Sequence, residues 1–306
     1  MEFIEELRFL KEQLFFKEKA ARKDGFSNII IAGMGGSGVA GQIFSEMYSE
    51  IPVHLVDDYS IPRFASKDTL FIGISYSGNT EETVSATREA IRKKAHVVTI
   101  SSGGKLQKLG NQHIRIPNAS LQPRSATGYM LMPLLNTFGL VKKKDLQSAY
   151  WLLSELDKDN EECRVHAQSI IQGEKIPCVF GSSPFSSIAY RWKTQFNENA
   201  KVLAYSNSFP ELNHNDTMAL AQTYSKEKFY FMVFASERER IRKRISVTAE
   251  IANAQFNEIK AKGRTDFERM LYLLHYGDYV SYHLGKLRNV APEDVSLIQK
   301  LKEKLA

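Results

Sequence analysis

Asn28-Ile-Ile-Ile-Ala-Gly-Met-Gly-Gly-Ser-Gly38 opens with a short unbroken apolar run and closes in glycines and one hydroxyl. A β-branched run this short, bounded by glycine, predicts a strand buried on both faces. The glycines predict a tight turn into a helix, which the pattern carries to about Tyr48. The theme returns about half the chain later, where Ile176-Pro-Cys-Val-Phe180 runs into Gly181-Ser182-Ser183 and a helix predicted through Asn197. One recurrence at that distance means two similar domains rather than a short-period array.

Around the first unit, Val53–Val56, 70–75 and His96–Ser101 are predicted strands, with a helix over 81–93. Residues 3–21 set Phe3, Ile4, Leu7, Leu10, Leu14 and Phe15 at three-to-four spacing, which predicts an amphipathic helix ahead of the first strand. Lys142, Lys143 and Lys144 follow a glycine and precede an aspartate, the mark of a helix end and a surface connection. Beyond them come a helical stretch over 146–171, a core strand over 229–235, and helix from 246 with a break at Pro292. Short strands alternating with helices make each domain an α/β layer, a parallel sheet flanked by helices. At roughly 100 to 200 residues per domain, 306 residues suit two, 1–144 and 145–306.

Hydrophobic residues at 43% and charged residues at 25% are ordinary for a soluble globular protein and exclude disordered, collagenous and coiled-coil chains. The uncharged stretches 25–45 and 125–141 are interrupted by glycine, asparagine, serine or proline, so both read as buried segments rather than membrane spans. The acidic opening Met-Glu-Phe-Ile-Glu-Glu lacks a secretory pattern, and the expected location is the cytoplasm. Cys163 and Cys178 suit that compartment as two free, buried thiols. The net charge of +6 favours an anionic partner without choosing it. The basic run 238–244 alternates with Glu237 and Glu239 at helical spacing, a solvated face with ion pairs, and no recognition motif points to nucleic acid.

Gly33-Met-Gly-Gly-Ser-Gly38 fits G-x-G-x-x-G after a strand, and Asp57 comes about 20 residues on, so an NAD-binding Rossmann dehydrogenase is one reading. The third strand ends differently, in Ser75-Tyr-Ser-Gly-Asn-Thr-Glu-Glu82. Hydroxyls around a glycine at a helix start offer O–H donors and free N–H groups to one compact anion, a phosphate monoester, for which a dinucleotide has no obvious use. Helix capping alone accounts for one hydroxyl, Ser77 or Thr80, not three.

The glycine loop and the hydroxyl loop together resemble the sugar isomerase (SIS) domain. With Gln122-Pro-Arg-Ser-Ala-Thr-Gly-Tyr129, Phe196-Asn-Glu-Asn199 and Pro210-Glu-Leu-Asn-His-Asn-Asp216, the chain resembles the bifunctional phosphoglucose/phosphomannose isomerases over nearly its whole length. The resemblance implies two SIS-type domains and interconversion of glucose 6-phosphate, with mannose 6-phosphate, and fructose 6-phosphate through an enediol. By position it implies phosphate binding by Ser37, Ser75, Ser77 and Thr80 beside Gly36, an active-site arginine at Arg124, the base at Glu198 and the ring-opening histidine at His214. A C-terminal lysine of the family aligns with Lys302, with Lys300 and Lys304 close by. It also implies a homodimer whose sites borrow His214 from the opposite chain.

The chemistry has uses for these groups. Moving a proton between C2 and C1 suits one carboxylate acting as base and then acid. A guanidinium stabilises the enediolate charge, and an imidazole trades the ring oxygen's proton near neutral pH. No His-Glu-x-x-His or histidine cluster calls for a metal, and the substrate, oxidised at one carbon and reduced at its neighbour, needs no redox cofactor. A phosphosugar sensor without chemistry remains the alternative, since it would need the phosphate loop but neither Glu198 nor Arg124.

Overall fold

Both strand-glycine-helix units occupy the centres of their own sheets in the computed structural model, which describes residues 2–21, 25–222 and 224–305. Two units divide the chain, one built on residues 8–154 with Gly263–Glu268 and the other on the remainder of the described residues.

In the first part of the chain, α1 (Phe3–Arg8) and α2 (Leu10–Gln13) precede β1 (Asn28–Ala32), α3 (Gly35–Met47), β2 (Val53–Val56), β3 (Thr69–Ile74), α4 (Glu81–Arg92), β4 (His96–Ser101) and β5 (Gln112–Arg115). A 3-10 turn, Pro123–Ala126, leads into α5 (Thr127–Phe138). The strands pair in parallel in the order β2-β1-β3-β4-β5, with Ile29 level with Val53 and Leu70, and Leu70 level with His96. Every residue of β3 is buried, as expected of a central strand covered on both faces. The chain leaves β1 for β2 on one side and crosses back to β3 on the other. Strand order therefore reverses at the C-terminal ends of β1 and β3, where open α/β sheets bind ligands.

The second part runs α6 (Lys143–Lys158), α7 (Glu161–Gln172), β6 (Ile176–Ser182), α8 (Ser186–Asn199), β7 (Tyr205–Phe209), α9 (Asp216–Gln222), β8 (Phe229–Phe234), α10 (Glu239–Ala252), β9 (Phe256–Ile259), α11 (Asp266–Leu287) and α12 (Ser296–Leu305). Its parallel sheet has the order β7-β6-β8-β9, with Cys178 level with Tyr205 and Phe231. Aromatic rings fill its core: Phe180 stacks on Phe231 at 6.0 Å and meets Phe209 and Phe256 edge-on. Trp192 of α8 stacks on Tyr276 of α11 at 5.7 Å and donates from Nε1 to the Leu273 carbonyl at 2.8 Å.

Three strands depart from the sequence expectation. β5, β7 and β9 lie at sheet edges, and their sequences Gln112-His-Ile-Arg115, Tyr205-Ser-Asn-Ser-Phe209 and Phe256-Asn-Glu-Ile259 contain no apolar run, because one side of an edge strand meets solvent. The helix expected over 3–21 stops at Gln13. Beyond it, α5 side chains hold the backbone instead of helical bonds: Asn136 Nδ2 donates to the Phe16 carbonyl at 2.9 Å, and the Ala20 N–H donates to Thr137 Oγ1 at 3.0 Å. The stretch 146–171 breaks at Asp159 and Asn160. The helix expected from 246 begins earlier, at Glu239, and β9 separates it from α11. Gly139, at φ +65°, ends α5 as expected, while Lys143 and Lys144 already belong to the first turn of α6. Cys163 and Cys178 are free and buried, and burial raises both thiols, Cys178 to about 12. Among the described residues no helix is long and apolar enough to cross a membrane.

Candidate active site

The C-terminal ends of β1 and β3 bring together most of the predicted anion-binding groups. α3 opens beyond an extended Met34 and has no side-chain cap. α4 opens at Thr80, whose side chain does not cap it either. Two helix N-termini therefore face the same strand ends with N–H groups available to an anion. The capping explanation of the hydroxyls fails here, because they bond to one another and to the loop. Ser75 Oγ lies 2.8 Å from Thr80 Oγ1 and accepts from the Gly78 N–H at 3.1 Å. Ser77 Oγ accepts from the Asn79 N–H at 3.2 Å. From α3, Ser37 Oγ accepts from the Tyr76 N–H at 3.3 Å, which ties the glycine loop to the hydroxyl loop. Ser37 and Ser75 are buried, Thr80 is half-buried and Ser77 is exposed.

Backbone approach explains two of the glycines. A Cβ on Gly36 would stand 2.9 Å from both the Arg124 Cα and the Pro123 carbonyl oxygen, so only glycine lets the 3-10 turn press against the first turn of α3. Gly78 has φ +71°, and a Cβ there would lie 1.8 Å from the Gly103 carbonyl oxygen. Arg124 is thereby brought beside Gly36 and Ser37, buried to 3% exposure, with Nη1 donating to Gln122 Oε1 at 3.4 Å. Gln13 secures the turn, donating to the Ser125 carbonyl at 2.7 Å and accepting from the Tyr129 N–H at 3.1 Å.

Sequence reasoning passed over the segment that clamps the hydroxyl loop. The Ser102 N–H and hydroxyl both donate to the Tyr76 carbonyl, at 2.9 and 2.7 Å, and the Leu106 N–H donates to the Gly78 carbonyl at 3.0 Å. The Lys105 N–H donates to Asn79 Oδ1 at 3.0 Å. Its signal was present as Ser101-Ser-Gly-Gly104 directly after a predicted strand.

Glu198, His214 and Lys302 belong to the other unit. Glu198 is half-buried on the last turn of α8, between two asparagines with structural partners. Asn199, fully buried, donates to Ser281 Oγ at 2.9 Å, and Asn197 Oδ1 accepts from the Ala204 N–H at 3.2 Å. Lys201 Nζ closes the helix end on the Glu198 carbonyl at 2.6 Å. One turn earlier, Asp278 of α11 accepts from Gln195 Nε2 at 2.6 Å and pairs with the buried Arg191 at 3.3 Å, fixing α8 along its length. His214 ends a 3-10 turn, Glu211–His214, beyond β7 and is exposed. Beside that turn, burial and then a hydrogen bond to Asp216 raise the Tyr205 hydroxyl above its ordinary pKa. Lys302 lies on α12, which buries none of its residues and exposes Lys300, Lys302 and Lys304 alike.

Residues 26–130 match the SIS domain family, and residues 159–305 match the bacterial phospho-glucose isomerase C-terminal SIS domain. The chain is 56% identical to the bifunctional phosphoglucose/phosphomannose isomerase of Thermoplasma acidophilum across 100% of its own length and 98% of that protein's. It is 57% identical to the protein of the same name from Thermoplasma volcanium, with 100% of each covered. Among solved structures it is similar in fold to a glucosamine-6-phosphate deaminase from Thermotoga maritima, with a TM-score of 0.71 at 14% identity over 95% of each chain.

Proposed function

The chain belongs to the bifunctional phosphoglucose/phosphomannose isomerase family, and from that membership we propose that it interconverts glucose 6-phosphate and mannose 6-phosphate with fructose 6-phosphate. The observation that carries the reading is the cluster of hydroxyls gathered at the starts of α3 and α4, groups suited to hold a sugar 6-phosphate. In this reading Ser37, Ser75, Ser77 and Thr80, with the Gly36 N–H, hold the phosphate. His214 gives a proton to the ring oxygen as its bond to C1 breaks, while the C1 hydroxyl releases its proton to solvent, opening the hemiacetal to the aldehyde. Glu198 removes the C2 proton as the C1 carbonyl oxygen takes up the electron pair, a proton passes from the C2 hydroxyl to O1, and the same carboxyl returns its proton to C1 as the C2 carbonyl forms, giving the ketose. Arg124 stabilises the enediolate formed between those transfers, and Lys302 supplies a second cation. Both C2 epimers serve when the open chain rotates about C2–C3 so that either hydrogen meets Glu198. The proton shuttle is complete without a cofactor or metal.

The domain division 1–144 and 145–306 then separates a phosphate-holding half from a half that carries the base. The proposed assembly is a homodimer sharing His214 between chains, without nucleic acid or membrane partners. The apolar stripe Leu297, Leu301 and Leu305 on α12, exposed by 56% or more, supports a second copy. Two free thiols suit a reducing cytoplasm.

Supplying each 6-phosphate sugar alone and identifying the product tests the activity. Fructose 6-phosphate is expected from both aldoses, and no turnover of either favours a sensor. For the shared site, Glu198→Gln and His214→Asn chains mixed equally should recover about a quarter of parent activity, because half the dimers are mixed and half their sites are intact. No recovery in verified mixed dimers assigns His214 to its own chain.

A further inference from the structure

The basic run 238–244, which the sequence marks as a solvated helix face, has one member with a different use. Arg244 of α10 donates from Nη1 to Asn213 Oδ1 at 3.1 Å. One turn along the same helix, buried Thr248 accepts from Asn213 Nδ2 at 2.7 Å and donates its own proton to the Arg244 carbonyl at 2.7 Å. A guanidinium only donates, and the Thr248 proton is committed to the helix carbonyl. Both ends of the Asn213 amide are therefore fixed in a single orientation.

Asn213 immediately precedes His214. On the far side, Asp216 Oδ2 accepts from the Tyr205 hydroxyl at 2.9 Å and from Asn207 Nδ2 at 2.8 Å, both on β7. Leu212 is fully buried in the core cluster with Phe180 and Phe209. The turn is thus anchored in the core, on α10 and on β7, while the imidazole between those anchors is exposed. Binding and catalytic residues are disproportionately carried on loops that a rigid scaffold positions. Ring opening gives a reason for it, since proton transfer needs the imidazole within hydrogen-bond reach of the ring oxygen and a small displacement is costly.

We propose that Asn213, gripped by Arg244 and Thr248, positions His214 for ring opening. All three are positioning residues that act through His214 without touching the reacting atoms. The inference deepens the proposed function and rests on its assignment of His214.

Ring opening can be read apart from isomerisation. In a Glu198→Gln background, NMR exchange spectroscopy tracks conversion between the α and β anomers of glucose 6-phosphate, which passes through the open aldehyde. Adding His214→Asn tests the underlying assignment, and exchange is expected to fall to the uncatalysed rate. Adding Thr248→Val, which keeps the shape and removes the acceptor, should slow exchange roughly tenfold to a hundredfold with glucose 6-phosphate affinity unchanged. Thr248→Ser should restore it to within about twofold, since the hydroxyl is retained. Asn213→Ala, at a half-buried site, decides the matter if the valine variant does not fold. Full exchange in the His214→Asn protein overturns the assignment and the inference together. An inactive His214→Asn protein with parent exchange in Thr248→Val and Asn213→Ala overturns the positioning role alone. Equal loss in the valine and serine variants, or loss of affinity in step with exchange, makes the network a general scaffold and also overturns it.

Discussion

The two sheets share a plan and differ at the place where that plan binds ligands. β6, β7, β8 and β9 repeat the order of β1, β2, β3 and β4, so each unit has one reversal of strand order. At the first, β3 runs into three hydroxyls around a glycine; α3, α4, α8 and α10 all start without a side-chain cap, so the loop itself makes the difference. At the second, β8 runs into Ala235-Ser-Glu-Arg238, where Ser236 accepts from the Arg238 N–H and Glu237 pairs with Arg269 at 2.8 Å. The corresponding helices also differ in use: α3 presents Ser37 at its first turn, whereas α8 presents Glu198 at its last. Duplication of a fold evidently need not duplicate a site. In the proposed division the first unit supplies grip and the second supplies reactivity.

The largest expected effect tests the reactive side. Glu198→Gln keeps the shape of the side chain and removes its basic oxygen, so isomerisation should fall roughly a hundred- to ten-thousandfold. Fructose 6-phosphate should still bind, by equilibrium dialysis, as it does to the parent. Turnover above about a tenth of the parent rate would remove Glu198 from the mechanism, because a general base is not dispensable at that level.

The converse pattern is expected on the gripping side. Ser75→Ala deletes a buried hydroxyl that also holds the Gly78 N–H and Thr80 Oγ1. A contact from a neutral donor to a charged phosphate is worth roughly 1.5 to 3 kcal/mol. Substrate affinity should therefore weaken about tenfold to a hundredfold while saturated turnover changes little. The exposed Ser77 should give the smaller loss on substitution by alanine. If the serine variants lost turnover at unchanged affinity, the split between grip and reactivity would not stand.

The same contrast explains what the sequence made legible. Buried central strands announce themselves as apolar runs, and the Asn28–Ala32 and His96–Ser101 boundaries match expectation residue for residue. The hydroxyl loop was readable because its chemistry is local, lying within eight consecutive residues. The edge strands at Gln112–Arg115, Tyr205–Phe209 and Phe256–Ile259 were not, since they carry no apolar run and pair with a neighbour distant in sequence, whereas the edge strand Val53–Val56 keeps three apolar residues and was. Glu198 and His214 are assigned only through resemblance, because a half-buried glutamate on a helix end and an exposed histidine in a polar turn have no local signature. What fixes them are contacts at long sequence separation, Asn199 to Ser281 and Asn213 to Thr248.

The smallest expected effect concerns stability in acid, where the two units should also part. Burial lowers the pKa of His166 and of His283 in the second unit, with Arg164 adding to the second case. In the first unit, burial and Arg115 lower His113. An unfolded histidine titrates near 6.5. As pH falls through that value the unfolded chain takes up protons before these folded sites do, so the neutral imidazoles cost stability progressively below about pH 6.5. Two such groups against one should make the second unit the more acid-sensitive between about pH 7.5 and 5.5, above the range in which carboxylates titrate. Hydrogen exchange read by mass spectrometry at the two pH values, converted to opening free energies for β1–β4 and for β6–β9, measures the difference directly. His166→Gln leaves an amide facing the Tyr230 hydroxyl, which lies 2.8 Å from Nδ1, and removes the titration. It should flatten the pH slope of the second sheet and leave that of the first unchanged. Equal slopes in the parent protein, or a slope in the second sheet that survives His166→Gln undiminished, would mean that the buried histidines do not set the acid limit of that unit.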